Sequence, residues 1–334
     1  MRRRRSPSLL ALVVLAWPVA GLLAWMLAPW MPRESIWPQA FAAAAWSCLP
    51  WIAVGWPFWT LSCAALARRW SPWMAGSLLL LPLVGVPLEW APGAGDVHQD
   101  DVLVGVFNIN AYSPASDSSA LRERVSSTGV EVAIVLEKRP DSDELDGLVR
   151  IADDFPGAWP RPSHHSAVHV RDPARIQARV SEQVGSDTMA MPVAIVHLPE
   201  VDACLLGVHA PPQVPKNPTG MVPYIDWLVD HITDGRLSRD LPPCASGQAV
   251  IVAGDLNHVP GSWPLKQLLD TGLHDAVGRG GLFALTWPSG GGWLDLPLMR
   301  LDHVLHGPIG IRGLDKVRIP GSDHQGWVFS VGRP

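Results

Sequence analysis

Residues 96–334 contain no block of lysine or arginine. The 334-residue chain carries 26 Lys+Arg against 31 Asp+Glu; seven Arg and two Glu fall within residues 1–95, leaving 19 cations against 29 anions, about −10, for the remainder. That balance argues against the basic footprint of a processive nucleic-acid binder, although a metal site can still hold phosphate locally. Cysteine is sparse as well, with four in the chain and neither a Cys-x-x-Cys pair nor a zinc-ligand spacing. Cys48 and Cys63 lie in an apolar stretch and Cys204 and Cys244 far from it. In an oxidising compartment the latter two could join as a disulfide; two buried free thiols fit the sequence equally.

Charge is almost absent from residues 1–92, apart from Arg2 to Arg5, Arg33, Glu34, Arg68, Arg69 and Glu89. Three apolar stretches result, at about 8–31, 38–66 and 71–90, each near or above the roughly 20 residues that a helix needs to cross a bilayer. They read as transmembrane helices, a multi-pass anchor integral to the cell membrane. Arg2 to Arg5 precede the first and Arg68-Arg69 separate the second from the third. Cations of this kind stay on the cytoplasmic side, so the amino terminus is expected inside and everything after the third span outside. A cleaved signal peptide over 1–28 shares the basic start and apolar run; the length of that run, its tryptophans and the two stretches after it favour the spans. None of the three carries a charge near its middle to mark a transport pathway, which leaves an anchor.

A polar, glycine-rich linker, 93–100, separates the anchor from the rest, 101–334. Apolar, β-branched runs of strand length follow at 102–109, 132–136, 193–197, 203–208, 250–253, 300–305 and 327–331. Segments with helical spacing lie between several of them, at 118–128, 224–232 and 264–269. Strand and helix alternate loosely, which favours a layered α/β domain. Residues 140–190 read as polar and irregular. Thr286-Trp287-Pro288, running on to three glycines, reads as a Trp-edged loop that either lines a cleft or simply joins two strands.

Short polar motifs close many of these runs: Phe107-Asn108, Leu136-Glu137, Val208-His209-Ala210-Pro211, Gly254-Asp255-Leu256-Asn257, Arg300-Leu301-Asp302-His303 and Gly321-Ser322-Asp323-His324. Glycine permits a sharp exit from a strand, after which Asp255 and Asn257, two residues apart, point to the same side. A carboxylate beside an imidazole, as in Asp323-His324, combines metal binding with proton transfer. Together they supply what phosphoester hydrolysis needs: ligands for a cation that neutralises phosphate charge, a base for water and an acid for the leaving group.

In this order the motifs resemble the endonuclease/exonuclease/phosphatase superfamily, over about residues 100–333, and the preceding apolar stretches resemble a membrane-anchored bacterial branch of it. The resemblance implies a DNase I-like four-layered α/β sandwich, two packed mixed β-sheets flanked by helices, here preceded by three transmembrane helices. It implies Glu137 as principal metal ligand, with Asn108 helping to hold the metal or its water and Asp323 as a further ligand or orienting carboxylate. Asp255 and Asn257 resemble the pair that orients the attacking water and binds phosphate oxygens. His324 resembles the general base, Asp302 the carboxylate behind it, and His209 the imidazole that donates to the phosphate or leaving oxygen. Mg²⁺ or Mn²⁺ is the expected cofactor, because hard oxygen ligands without cysteine favour such ions over zinc. His164, His165, His258, His274, His303 and His306 read as surface or supporting residues. The chain departs from the family pattern at Leu136, where many relatives have Gln, at Gln325-Gly326, and in 150–190, which lacks a recognisable family block.

The expected activity is a metal-dependent phosphoric ester hydrolase of phosphodiesterase or nuclease type, acting outside the cytoplasm without an obligate protein partner. A phospholipid or headgroup phosphodiesterase fits a tethered, acidic domain. A non-catalytic binding protein on the same fold fits less well, since decay usually removes a ligand or the base and here both are present.

Overall fold

Period-two alternation with both faces apolar makes the continuous hydrophobic runs into central strands of a layered structure. In β1 (Val102–Asn108) Val102, Val104 and Val106 point to one side, whereas Leu103 and Phe107 point to the other. In β10 (Ala249–Asp255) Ile251 and Ala253 face inward, while Val250 and Val252 face out.

The computed structural model describes residues 97–110, 119–137, 145–153, 165–181, 184–186, 189–212, 221–245, 247–277, 284–288, 297 and 299–334. The three expected spans, and 93–96 of the linker, lie outside these residues. Among the described residues no helix is long and apolar enough to cross a membrane.

Two six-stranded mixed sheets pack face to face. The first also contains β2 (Val132–Leu136), β3 (Val149–Asp153), β4 (Ser166–Val170), β13 (Gly310–Arg318) and β14 (Gln325–Gly332), in the order β13-β14-β1-β2-β4-β3. The second joins β5 (Gln177–Val180), β8 (Val193–Leu198), β9 (Ala203–His209), β11 (His274–Asp275) and β12 (Asp302–His306) to β10, in the order β11-β12-β10-β9-β8-β5. A small hairpin, β6 (Val184–Ser186) with β7 (Met189–Met191), stands apart.

Three apolar clusters define four layers. The largest fills the space between the sheets, with Val104, Ile134, Leu205, Ile251 and Phe329 among its buried members. A second packs helix α1 (Ser119–Ser127), through Val125, on the outer face of the first sheet. A third packs α2 (Val222–Thr233), α3 (Leu237–Asp240) and α4 (Trp263–Asp270) on the outer face of the second, using Ile225, Leu228, Leu237 and Leu268. Cys204 and Cys244 form a disulfide, Cα to Cα 5.7 Å, which ties β9 to the loop after α3. Of the two arrangements open to these thiols, the structure holds the crosslinked one.

Residues 140–190 are not wholly irregular, as β3 to β7 all start or end within them or one residue beyond. The expectation failed there for two reasons: β3 and β5 lie at sheet edges, where water replaces apolar neighbours and the hydrophobic pattern weakens, while β4 is buried throughout but its Ser166 and His169 interrupt the apolar run. The first reason hides β13 too, an edge strand of sequence GIRGLDKVR that also carries a bulge between Arg312 and Asp315.

Topology brings the polar motifs to one rim. β1 pairs in parallel with β2, and β9 with β10, so Asn108, Glu137, His209 and Asp255 all lie at or just past carboxyl ends of strands. β12 and β14 run antiparallel to β10 and β1, so Asp302 and His324 enter the same rim from the amino ends of theirs.

Candidate active site

Local backbone geometry sets each side chain at the rim. Asp255, His209 and Asp302 are in register across three adjacent strands. Just before Asp255 the chain turns at Gly254, φ 135°, where an added Cβ would stand 2.2 Å from the Val208 carbonyl oxygen; only glycine lets β10 approach β9 this closely. Glu137 and Asn257 follow their strands in the left-handed region, at φ 52° and 53°, which swings each back over the strand end.

Asn108 is the hub between the sheets. Its Nδ2 donates to Glu137 Oε1 at 3.1 Å and to Asp255 Oδ2 at 3.0 Å, so one amide fixes two carboxylates from different sheets. His209 Nε2 lies 3.1 Å from Glu137 Oε1 and 3.8 Å from Asp255 Oδ2. On the other side of Asp255, His324 Nε2 stands 3.6 Å from its Oδ2, while His324 Nδ1 donates to Asp302 Oδ2 at 2.9 Å. The Asp302 backbone N–H is held by Thr286 Oγ1 at 3.2 Å, and its carbonyl accepts from Trp327 Nε1 at 3.0 Å. His324 is anchored through Ser322, whose Oγ accepts the His324 backbone N–H at 3.0 Å and donates to the Asn108 carbonyl at 2.6 Å.

Burial makes these charges costly. It pushes the Glu137 carboxyl up to about 7 against the Asn108 hydrogen bond, and Asp255 up to about 6 against the attraction of His324. It holds His209 below its usual range, the nearby Asp255 notwithstanding, which favours the neutral imidazole. For His324 burial also disfavours the charge, but Asp302, Asp255 and Asp323 outweigh it and raise the group to about 10.

These residues fit a divalent cation. Ligand atoms of Glu137, His209 and Asp255 lie within 4.8 Å of one another, as do those of Asp255, Asp302 and His324. The set is carboxylate and imidazole without thiol, the choice of a hard or borderline ion, and two carboxyls held up in pKa by burial are what a cation would relieve. A cation held by Glu137 and Asp255, with Asn108 orienting both, would neutralise charge developing on a phosphate and offset the field that keeps His324 protonated. The chain's own contribution is a buried Asp302–His324 pair able to hold or accept a proton at Nε2, and a neutral His209 able to donate toward an oxyanion.

Every residue expected at the site is at the rim, with two differences in surroundings. Asn257 donates from Nδ2 to the Ala210 carbonyl at 2.8 Å and from its backbone to Asp255 Oδ1 at 2.7 Å, so it ties the loop after β10 to the loop after β9. Asp323 belongs to neither ligand group among the described residues; its oxygens accept from Asn110 and Trp287. His258 and His303 are buried supports, with His303 Nε2 donating to the His258 carbonyl at 2.7 Å. Sequence reasoning assigned nothing to Asn110, Thr286 or Ser322, since lone amides and hydroxyls carry no periodic signal. Trp287, at the start of the expected loop, donates its indole N–H to Asp323 at the rim, while residues 289–296 of that loop lie outside the described residues.

Two mixed sheets packed face to face, helices outside, and a rim of carboxylates, amides and imidazoles define the nuclease and phosphoesterase type of α/β sandwich. A model described as the endonuclease/exonuclease/phosphatase family matches residues 105–324, and the chain belongs to that family. Its members are hydrolases acting on phosphoesters and generally use divalent metals. Among solved structures, AP endonuclease LMAP from Leishmania major aligns with a TM-score of 0.52 and 14% identity, over 76% of this chain and 98% of that one. TDP2 from Caenorhabditis elegans gives 0.51 and 15%, over 80% and 84%. The human Nocturnin catalytic domain, solved with bound sulfate, gives 0.50 and 14%, over 72% and 97%. At these identities the likeness is one of fold. No curated protein matches the chain.

Proposed function

We propose that this protein is a membrane-anchored, divalent-metal-dependent hydrolase of phosphoester bonds, of phosphodiesterase or nuclease type, with its catalytic domain outside the cytoplasm. The observation that carries the chemistry is Asp255 lying between two clusters, Glu137–Asn108–His209 on one side and His324–Asp302 on the other. Glu137 and Asp255, aided by Asn108, hold Mg²⁺ or Mn²⁺. His324 takes the proton of the attacking water while Asp302 supports the imidazolium, and His209 donates to the phosphate or the leaving oxygen. Asn257 holds the Asp255 loop and presents its amide to the phosphate.

The location rests on the three apolar stretches with their flanking arginines, and the Cys204–Cys244 disulfide agrees with an oxidising compartment. Reporter enzymes fused after Leu66 and after residue 95 test it; cytoplasmic activity at the second junction contradicts it.

For the chemistry, full-length protein in detergent should hydrolyse a model phosphodiester only with Mg²⁺ or Mn²⁺, and Asp255→Ala or His324→Ala should cost roughly 10²–10⁴-fold. Metal-independent turnover, or full activity in both variants, contradicts the mechanism. A phospholipid or headgroup substrate is a second reading, favoured by a tether and by the charge of about −10 on residues 96–334. Parallel assays on duplex DNA, RNA and phospholipid vesicles separate the two, because nucleic-acid cleavage weakens with salt.

A further inference from the structure

Asp323 was expected as a metal ligand or an orienting carboxylate, and its surroundings decide between them. Oδ1 accepts from Asn110 Nδ2 at 2.6 Å and Oδ2 from Trp287 Nε1 at 3.0 Å. Asn110 sits in the left-handed region at φ 48° and gives its backbone N–H to Asn108 Oδ1 at 3.1 Å. Asn108 in turn holds Glu137 and Asp255. An unbroken line of hydrogen bonds therefore runs from the Trp287 indole to the buried carboxylates.

At its outer end Trp287 is fixed from two more directions. Its backbone N–H and carbonyl pair with Met299, at 2.9 and 2.7 Å, and it packs with Met299 against Val259 and Leu301. Val259 follows the Asn257 loop and Leu301 precedes Asp302, so the indole rests on both segments that carry the second sheet's polar groups. Its indole N–H reaches the first sheet's side of the rim through Asp323, next to the bond from the Gln325 N–H of β14 to the Thr286 carbonyl at 3.0 Å.

We propose that Asp323 is a positioning residue rather than a metal ligand: it locks the Trp287 rim to the Asn108–Glu137–Asp255 cluster through Asn110. This rests on the hydrolase reading above. The lock adds to the Asn108–Asp255, His324–Asp302 and Trp327–Asp302 bonds that join the two sheets here, and it orients the Asn108 amide from behind; small errors of placement at such a point lower rate steeply.

Donor and acceptor chemistry supplies the test. In Asp323→Asn the new NH₂ group meets either the Asn110 amide or the Trp287 N–H, donor against donor, whichever way it turns. Adding Asn110→Asp restores both bonds, and Asp tolerates the left-handed backbone as Asn does. With full-length protein in detergent, kcat/KM is measured on a model phosphodiester, and Mn²⁺ binding to metal-free protein is measured by calorimetry.

Asp323→Asn should lower kcat/KM roughly tenfold, as loss of an outer orienting group does, while the Mn²⁺ Kd stays within about threefold. The Asn110→Asp/Asp323→Asn pair should recover most of the loss. Trp287→Phe should reproduce that loss and add little on top of Asp323→Asn. An Mn²⁺ Kd weakened by about tenfold or more in Asp323→Asn, unchanged activity, or a folded exchange pair without recovery each overturns the proposal. Should the exchange pair fail to fold, additive effects of Trp287→Phe and Asp323→Asn overturn it and non-additive ones support it. An inactive wild-type protein defeats the hydrolase reading instead, and Mn²⁺ affinity with the Trp287–Asp323 cycle in unfolding free energy still decides the role of Asp323.

Discussion

Replacing Asp302 by Asn asks whether His324 owes its basicity to the carboxylate behind it. Against the desolvation of a buried imidazolium, Asp302 at 2.9 Å, Asp255 and Asp323 bring His324 to about 10 from an ordinary 6.5. At about 1.4 kcal/mol per pH unit, that is on the order of 5 kcal/mol of net preference for the protonated ring. The substituted amide keeps an oxygen for the Nδ1 proton and removes the charge. One opposite charge at this range commands roughly 1–3 pH units, so His324 should titrate lower by that much in metal-free protein. Because the native pKa is raised, the stability it contributes is fully present below pH 6.5 and lost as pH rises toward 10. In the variant that loss should be complete at lower pH. Histidine-labelled protein followed by NMR, with His324→Gln identifying the resonance, reads the titration directly, and kcat should fall by about 10²–10⁴-fold. A His324 pKa within about half a unit of wild type would refute the reasoning.

Metal should stabilise in a pH-dependent way. Burial raises Glu137 to about 7 and Asp255 to about 6, so the stability they contribute without metal is present below about pH 4 and lost as pH climbs through 6 to 7. Saturating Mg²⁺ should therefore raise Tm by roughly 5–10 °C at pH 8 and much less at pH 5; equal shifts in differential scanning fluorimetry count against the site. Gly254→Ala should cost roughly 3 kcal/mol in chemical denaturation, since a Cβ meets the Val208 carbonyl oxygen at 2.2 Å with φ at 135°. A cost below about 1 kcal/mol means that β10 can shift without loss. Cys204→Ala/Cys244→Ala should lower unfolding stability by about 4 kcal/mol, from the loop entropy of a separation of 40 residues. Wild-type protein unfolded with reductant should match it, and insensitivity to both would show that the crosslink does not constrain the unfolded chain.

The sequence by itself determined the layered α/β class and the central strands, because residues buried on both faces must be continuously apolar and runs such as 102–109 and 250–253 leave no other role. It also put Asn108, Glu137, His209, Asp255, Asp302 and His324 at strand ends, where their order, rather than any one motif, carries the resemblance that implies their roles. Edge strands such as β3, β5 and β13 stayed hidden, as half-exposed backbone needs no apolar signature. Only the tertiary structure decided who partners whom. The face-to-face packing of the two sheets put residues 147 apart within one hydrogen bond at Asn108 and Asp255, where β1 and β10 end at the same rim. Tertiary structure likewise chose the disulfide between Cys204 and Cys244, and it placed Asp323 between Asn110 and Trp287. A sequence records which groups are available; a carboxylate's role follows from its neighbours, and those are fixed by the packing of two sheets.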